Sequence, residues 1–238
     1  MNDAAVFAQV LQAFREAVPA HQLNIALQDP SPETDLALLQ ELLAAQQVAR
    51  LVRLWSSPRT LVTSPRLARL EGFERAVARS MERGWPVAIR PSAGLTVALH
   101  PGVLNVSVIS VREGGAADAY DDLLGLLITV CGRMGIAAER GSVPGAYCDG
   151  SQNLRICGRK AAGASARQVS RSGFTGLLSH ACLTVFGNVA EDVEAVREFE
   201  MSLGLDAPYR VGAHCTVADF LDSMSNTGLP SVAGSAVY

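Results

Sequence analysis

Several features that would fix a compartment or a partner are missing from this sequence. It contains no apolar run of about 18 residues, which excludes a membrane-spanning helix. Its amino terminus carries Asp3, Arg15 and Glu16 and lacks the basic segment and apolar core of a secretory signal. The five cysteines form no CxxC pair, so neither a disulfide framework nor a thiolate zinc site is indicated. We therefore expect a cytoplasmic protein with reduced thiols.

Charge of one sign does not accumulate in any segment. The 20 lysines and arginines and 23 aspartates and glutamates are spread along the chain and give a formal net charge of -3. This distribution predicts no basic surface for nucleic acid or for an anionic membrane. None of the four histidines has a second histidine at the spacing of a metal site, so no bound metal is expected.

Apolar residues, by contrast, are abundant. They make up 49% of the 238 residues, enough for a substantial buried core. No repeat or linker divides the chain, so residues 1–224 are expected to form a single domain. The last residues, 225–238, are small and polar and are predicted to be a flexible tail.

Apolar periodicity and turn residues predict the secondary structure. Helices are expected near 3–18, 31–48, 71–84, 118–134, 190–204 and 216–224, with Ser31 as a cap of the second. Strands are expected near 51–57, 59–64, 85–90, 95–99, 103–111, 153–157, 160–169 and 173–186. The short links PSAG and HPG favour antiparallel pairing of the strands that they join. The fold class is therefore α+β, with a mainly antiparallel or mixed central sheet flanked by helices.

The stretch IRPSAGLTVALHPGVLNVS carries the first candidate binding residues. Small residues from Ser92 to Gly94 would let a ligand approach the backbone, and Arg90 would supply a cationic fork for a carboxylate, a phosphate or a carbonyl oxygen. The alternative is a tight hairpin with Arg90 in a surface ion pair.

The second candidate stretch is GAYCDGSQNLRICGRKAAG. Cys148 stands in a predicted loop, where thiols are more often reactive than in a core, but a structural thiol remains the alternative. Lys160 begins a strand among small residues, so its ammonium either points inward to a thiolate or carbonyl or lies on the surface.

The remaining thiols and histidines have simpler interpretations. Cys131, Cys157 and Cys182 lie in apolar segments and are expected to be core residues. His180 is expected to be a core histidine. Cys215 beside His214 is a rival nucleophile and base, although adjacent side chains point in different directions.

Taken in order, these stretches resemble the biotin and lipoate protein ligase family. RPSAGLTVALHPGVLNVS resembles its Arg-x-Ser-Gly-Gly, His-Asp and Gly-x-Leu-Asn-x-Ser signature, and GRKAAGASARQ resembles its Gly-Arg-Lys segment. DLALLQELL and RLWSSPRTLVTS resemble its early helix and strands, so the resemblance covers about residues 34–222. It implies the family's class II synthetase-like catalytic domain.

Within this family, GAYCDG followed by GRKAAG is most similar to the branch of octanoyltransferases and lipoyl amidotransferases. That likeness implies Cys148 as the nucleophile and Lys160 as the active-site lysine. The implied substrate-binding residues are Arg90, Ser92, Ala93, Gly94, His100, Asn105 and Gly163.

The implied reaction moves an octanoyl or lipoyl group through a thioester, without a cofactor. The implied donor is glycine cleavage H protein or acyl carrier protein, and the implied acceptor is the lipoyl domain of a 2-oxoacid dehydrogenase. One alternative is a ligase that uses ATP and Mg to form an acyl adenylate from lipoate or biotin. Another is a non-catalytic member of the fold that holds an acyl group or a protein.

Four positions depart from the family pattern. Ala93 replaces the first glycine of the Gly-Gly pair, and Leu99-His100 replaces His-Asp, which weakens the adenylate-forming alternative. Asp149 replaces a proline beside the nucleophile, where a carboxylate disfavours a thiolate.

Overall fold

The computed structural model describes residues 2–28, 32–90, 94–115 and 118–221. Within them the long helices are α1 (Asp3–Ala17), α2 (Pro32–Ala44), α3 (Phe73–Glu82), α4 (Ala119–Arg133) and α5 (Val189–Ser202). Asn2, Asp118 and Asn188 cap α1, α4 and α5 by accepting backbone N–H groups of the first turn. The predicted helices are confirmed, and the last one is seen at residues 218–221. Ser31 and residues 222–238 lie outside the described residues.

The strands form two sheets. They are β1 (Leu23–Ile25), β2 (Ala49–Trp55), β3 (Thr60–Thr63), β4 (Val87–Ile89), β5 (Val97–Leu99), β6 (Val103–Glu113), β7 (Ala138–Arg140), β8 (Asn153–Ile156), β9 (Arg159–Arg171) and β10 (Phe174–Thr184). The large sheet has the order β1-β2-β6-β10-β9-β8-β7 and is antiparallel except between β1 and β2. The small sheet has the order β4-β3-β5. This mixed arrangement confirms the predicted α+β fold class.

The predicted pairing around the PSAG and HPG links is wrong. Strand β3 lies between β4 and β5, parallel to the first and antiparallel to the second. Strand β5 does not pair with β6, because both edges of β6 are occupied by β2 and β10. The short links therefore join strands that are not neighbours, and the second link passes from one sheet to the other.

The two faces of the large sheet have different neighbours. One face packs on α1 and α4 through buried residues such as Val52, Val106 and Leu183. The other face is covered at one end by α2, where Leu39 and Leu43 contact Ile109. The small sheet packs against α3 and α5. No helix in the described ranges has the length and hydropathy needed to cross a membrane.

The cysteine predictions hold in part. Cys131 is fully buried, as expected. Cys157 is exposed, so the core prediction for it is wrong. It forms with Gly158 the two-residue turn between β8 and β9, and their φ values of 48° and 72° match the turn that suits the twist of a hairpin.

Candidate active site

Cys148 lies in the loop of residues 141–152 that joins β7 to β8. The loop prediction is therefore correct, and the side chain is partly exposed. Its backbone is left-handed, with φ 45°, a conformation that costs a non-glycine residue about 1–3 kcal/mol. Such a conformation persists only where the surroundings hold it, so the neighbours of Cys148 define the site.

Lys160 provides the first of these restraints. It is the second residue of β9, is only 5% exposed, and its Nζ donates to the carbonyl oxygens of Tyr147 at 2.7 Å and Cys148 at 2.9 Å. A Cβ on Gly163 would lie 3.1 Å from this Nζ, so the glycine leaves the space that the ammonium fills. Burial lowers the pKa of Lys160, and the nearby charges of Cys148 and Asp149 oppose that shift. The structure thus brings Cys148, Lys160 and Gly163 together.

Asp149 closes the loop on its other side. Its Oδ1 accepts hydrogen bonds from the backbone N–H of Val143 at 2.8 Å and of Gly150 at 2.8 Å, and from Nδ2 of Asn153 at 2.6 Å. The carboxylate that replaces the family's proline therefore braces the loop through three donors. This gives the departure at Asp149 a structural role.

His214 holds the peptide that precedes Cys148. Its Nε2 accepts the backbone N–H of Tyr147 at 3.2 Å, and its Nδ1 lies 3.1 Å from the carbonyl oxygen of Arg210, to which it donates. The ring stacks on Tyr147 with 4.4 Å between centroids. Burial lowers the pKa of His214 to about 4, with further lowering from Lys160 and Arg159. The imidazole is therefore neutral at pH 7, as its acceptor role requires.

A buried carboxylate connects the loop with the small sheet. Glu200 of α5 accepts the backbone N–H of Thr96 at 2.7 Å and the hydroxyl of Tyr209. The ring of Tyr209 meets that of Tyr147 edge to face at 6.4 Å. The segment after Gly94 and the segment before Cys148 are thus fixed to one another through α5.

Arg90 and Gly94 lie on the side of Cys148 that faces the small sheet. Arg90 follows β4, and its guanidinium donates to the carbonyl oxygens of Val62 at 2.9 Å and Leu95 at 2.6 Å. A Cβ on Gly94 would lie 2.6 Å from Nη2 of Arg90 and 3.3 Å from Sγ of Cys148. Both predicted residues therefore lie beside the thiol.

The other predicted binding residues lie at different places. Asn105 lies on β6, on the face of the large sheet opposite α1 and α4, and is 2% exposed. His100 is buried after β5, where Nε2 lies 3.2 Å from Oδ2 of Asp192 and Nδ1 accepts the N–H of Gly102. It therefore ties the link between the two sheets to α5. Ser92 and Ala93 lie outside the described residues.

The rival nucleophile and base are not assembled. Cys215 is 1% exposed, its Sγ donates to the carbonyl of Arg159, and burial raises its pKa to about 12. The His214 ring faces Tyr147 instead. Burial likewise raises the pKa of Cys182 to about 11. In the described part of the chain, no three His, Cys, Asp or Glu side chains are grouped to hold a metal ion.

His180 lies on β10 but is only partly buried, so the core prediction for it is not borne out. Its Nε2 lies 3.5 Å from the Ser165 hydroxyl, and burial, with a smaller effect of Arg90, lowers its pKa to about 4. It is therefore neutral at pH 7.

The crowding at Gly94 gives a first prediction. Gly94→Ala is expected to slow alkylation of Cys148 by iodoacetamide about tenfold, because the new methyl meets both Arg90 and the thiol, and φ 115° strains any side chain. Peptide mass mapping measures the rate, with exposed Cys157 as the internal reference. Gly114 also has a positive φ, but a Cβ at this position would meet no atom within 4 Å. Gly114→Ala should therefore leave the reactivity of Cys148 unchanged. Equal effects in both variants would refute the crowding.

The neutral state of His214 gives a second prediction. The unfolded chain binds a proton on this residue near pH 6.5, whereas the folded chain resists it to about pH 4. Its contribution to the free energy of unfolding is therefore complete above pH 6.5 and falls by about 3 kcal/mol as the pH drops to about 4. His214→Gln has no histidine to protonate at this position and therefore lacks this pH dependence. The difference between its free energy of unfolding and that of the wild type, measured in urea titrations, should shrink as the pH falls below 6.5. His21→Gln, at an exposed site, should follow the wild-type curve, and parallel curves for His214→Gln would contradict the assignment.

Sequence reasoning missed the residues that hold the loop. Tyr147, His214, Glu200 and Tyr209 come from distant segments, and no local pattern joins them. One signal was available for Lys160: it is the only lysine in the chain, and all other basic side chains except the histidines are arginines. Because Lys160 is buried, it does not contribute to the general surface charge, which the arginines supply.

The site can now be compared with known proteins. A family model described as the lipoyl protein ligase A/B catalytic domain matches residues 31–210. An octanoyl-[GcvH]:protein N-octanoyltransferase of Geobacillus kaustophilus is 32% identical over 158 residues, which are 65% of this chain and 54% of that protein. One of Anoxybacillus flavithermus is 34% identical over 164 residues, 68% of this chain and 58% of its own. The chain thus spans about half the length of these curated relatives.

More distant proteins match this chain in sequence or in fold. A lipoyl-[GcvH]:protein N-lipoyltransferase of Listeria monocytogenes is 27% identical over 158 residues, 65% of this chain and 55% of that protein. A lipoate-protein ligase A bound with ATP superposes with a TM-score of 0.60 at 17% identity, covering 84% of this chain and 78% of its own. A bipartite lipoate protein ligase of Thermoplasma acidophilum superposes with a TM-score of 0.53 at 17% identity, covering 86% of this chain and 80% of its own. At this identity the solved structures bear on the fold alone.

Proposed function

We propose that this chain, which belongs to the lipoyl protein ligase A/B catalytic domain family, transfers an octanoyl or lipoyl group from a carrier protein to a lysine of a lipoyl domain through a thioester on Cys148. The observation that carries the proposal is the contact between Cys148 and Lys160. A partly exposed thiol stands in a strained loop, and the only lysine of the chain is buried against the carbonyl of the same residue. Strain of this kind is concentrated at functional sites.

In the first step, the sulfur of Cys148 bonds to the acyl carbonyl carbon. The carrier's own sulfur or nitrogen leaves and takes up the proton that the Cys148 thiol gave up. The charge of Cys148 raises the pKa of Lys160 and so opposes its lowering by burial, which favours an ammonium beside the attacking sulfur. The acyl group is then held as a thioester beside Gly94 and Lys160.

In the second step, the ε-amine of the acceptor lysine attacks the thioester. The C–S bond breaks, an amide forms, and the amine proton passes to the departing Cys148 sulfur. In each step, negative charge develops on the carbonyl oxygen of the acyl group that is transferred. The backbone N–H of Cys148 has no hydrogen-bond acceptor within the described residues, and we assign it, with Lys160, to this oxygen.

The relatives' names support the choice of donor. The octanoyltransferases and the lipoyltransferase among them act on acyl-[GcvH], so we propose acyl-GcvH as the donor and the lipoyl domain of a 2-oxoacid dehydrogenase as the acceptor. Because one acyl linkage replaces another, the reaction needs no nucleotide, and we propose that it runs without a cofactor in the cytoplasm.

We further propose that residues 1–224 act as one catalytic domain. Support comes from the core, in which Val6 of α1, Leu183 of β10 and Leu221 belong to the same buried cluster. The two ends of the described chain are thereby packed into a single unit.

The test is a transfer assay in which ATP is omitted. The chain is incubated with octanoyl-GcvH and an apo lipoyl domain, and the mass of the lipoyl domain is followed. A gain of one octanoyl group without ATP is expected. A gain only when ATP and free octanoate or lipoate are supplied would instead establish a ligase, and no gain under either condition would leave a binding protein.

A further inference from the structure

A row of five residues crosses the large sheet from the Cys148 loop to β2. Each member is directly paired with the next, in the order Asn153, Gly163, Cys182, Asn105 and Trp55. Directly paired residues point to the same face of a sheet, and this face is the one opposite α1 and α4. One end of the row touches the loop, since Nδ2 of Asn153 donates to Asp149.

Asn105, near the other end of this row, has a buried hydrogen-bond donor that is not satisfied within the described residues. Its side chain is 2% exposed, and Nδ2 has no hydrogen-bond partner within the described residues. Its neighbour Trp55 donates to the Ser107 hydroxyl at 3.2 Å and therefore offers no acceptor. Burying an N–H group without a partner is unfavourable, so the fold alone does not explain an amide at this position.

The position along the row determines which part of a substrate the amide can meet. Gly163 borders the ammonium of Lys160, and Asn105 is two strands farther along. Two strand spacings amount to about 10 Å. The short Asn105 side chain therefore does not reach a carbonyl held at Lys160, whereas an acyl chain lying along the row would bring its distal half to the amide.

We propose that Asn105 recognises the distal half of the bound acyl group by donating Nδ2–H to an acceptor atom there. The site then favours an acyl chain with such an atom, as a lipoyl group has in its dithiolane sulfurs, over an unsubstituted octanoyl chain. An alkyl chain covers the amide and leaves it without a partner, whereas a sulfur offers a weak acceptor. The inference rests on the proposed function, because it names which acyl group the transferase prefers.

The test replaces Asn105 with the near-isosteric leucine. Wild-type protein is given equal amounts of lipoyl-GcvH and octanoyl-GcvH with an apo lipoyl domain, and the two products are counted by mass. A preference for lipoyl is expected in the wild type, and Asn105→Leu should move the product ratio about tenfold toward octanoyl. Ser179→Ala changes a buried residue on the opposite face of β10 and should leave the ratio unchanged.

A second measurement does not depend on catalysis. The melting temperature is recorded with lipoamide and with octanamide for wild type and Asn105→Leu. Lipoamide should stabilise the wild type more than octanamide does, and the variant should lose this difference. If wild-type protein transfers neither acyl group, the proposed function fails while this comparison still tests Asn105.

Three results would overturn the inference. The first is a product ratio and a ligand-induced shift that Asn105→Leu leaves unchanged. The second is an equal loss of transfer with both donors, which would move the contact to the part that the acyl groups share. The third is a clear drop in the melting temperature of the ligand-free variant, because an amide that is satisfied within the fold stabilises it, whereas an unpartnered one does not.

Discussion

Replacing Cys148 with alanine is expected to lower octanoyl transfer by about 10³-fold or more, because the thioester route has no other nucleophile in the described part of the site. Burial raises the pKa of Cys182 to about 11 and that of Cys215 to about 12, so both stay protonated near neutral pH. The rate is measured as octanoylated lipoyl domain formed per minute from octanoyl-GcvH.

The matched control for this variant is Cys157→Ala. Cys157 is also a non-glycine residue with positive φ, at 48°, but it lies on the exposed turn between β8 and β9. Its replacement should leave the rate within about threefold of wild type, as surface changes usually do. Transfer by Cys148→Ala at a rate near wild type would rule out Cys148 as the acyl carrier.

Lys160→Met is expected to lower kcat by about 10²–10³-fold, the usual effect of removing one preorganised donor from such a site. Methionine keeps the apolar stem but removes the charge and both hydrogen bonds to the carbonyls of Tyr147 and Cys148.

Arg155→Met provides the control for lost charge at the same loop. Arg155 reaches the carbonyl of Ser142, but its side chain is 34% exposed and ion-paired with Glu139. Exposed pairs contribute little, so transfer should stay within about threefold of wild type. If Lys160→Met and Arg155→Met had the same small effect, Lys160 would be one more loop restraint and not part of the chemistry.

The proposed nucleophile and the proposed active-site lysine could be predicted from the sequence because their evidence is local and ordered. GAYCDG and GRKAAG each hold their residues within a few positions, and their order along the chain limits the possible families. The loop placement of Cys148 followed from the glycine before it and from Asp149 and Gly150 after it, and the strand placement of Lys160 followed from the Gly-Arg turn that precedes it. Their contact required one more step, the turn at Cys157-Gly158 that directs β9 back along β8 toward the loop.

That same turn explains one error. In NLRICGRK the apolar pattern continues into Cys157, so periodicity assigned it to the core, whereas the Cys-Gly pair supplies the two positive φ values of the hairpin. The strand pairing around PSAG failed for another reason. A short link favours pairing of the strands that it joins, but tertiary packing inserted β3 between them.

The restraints on the loop were beyond local reasoning. His214 reaches the N–H of Tyr147 from 67 residues away, and an isolated bridge pairs His214 with Lys160. Glu200 joins Thr96 to Tyr209 in a similar way. Such contacts follow from how the sheets and α5 pack, and one sequence does not encode that packing as a pattern.

The covalent intermediate is the central claim, and intact mass tests it most directly. The chain is mixed briefly with octanoyl-GcvH, without ATP or acceptor, and is quenched in acid without reductant. One octanoyl adduct is expected, removed by neutral hydroxylamine and absent from Cys148→Ala. An adduct that survives hydroxylamine would be an amide on Lys160 or on the amino terminus and not a thioester. If the adduct survives hydroxylamine and also forms on Cys148→Ala, the thioester mechanism is contradicted.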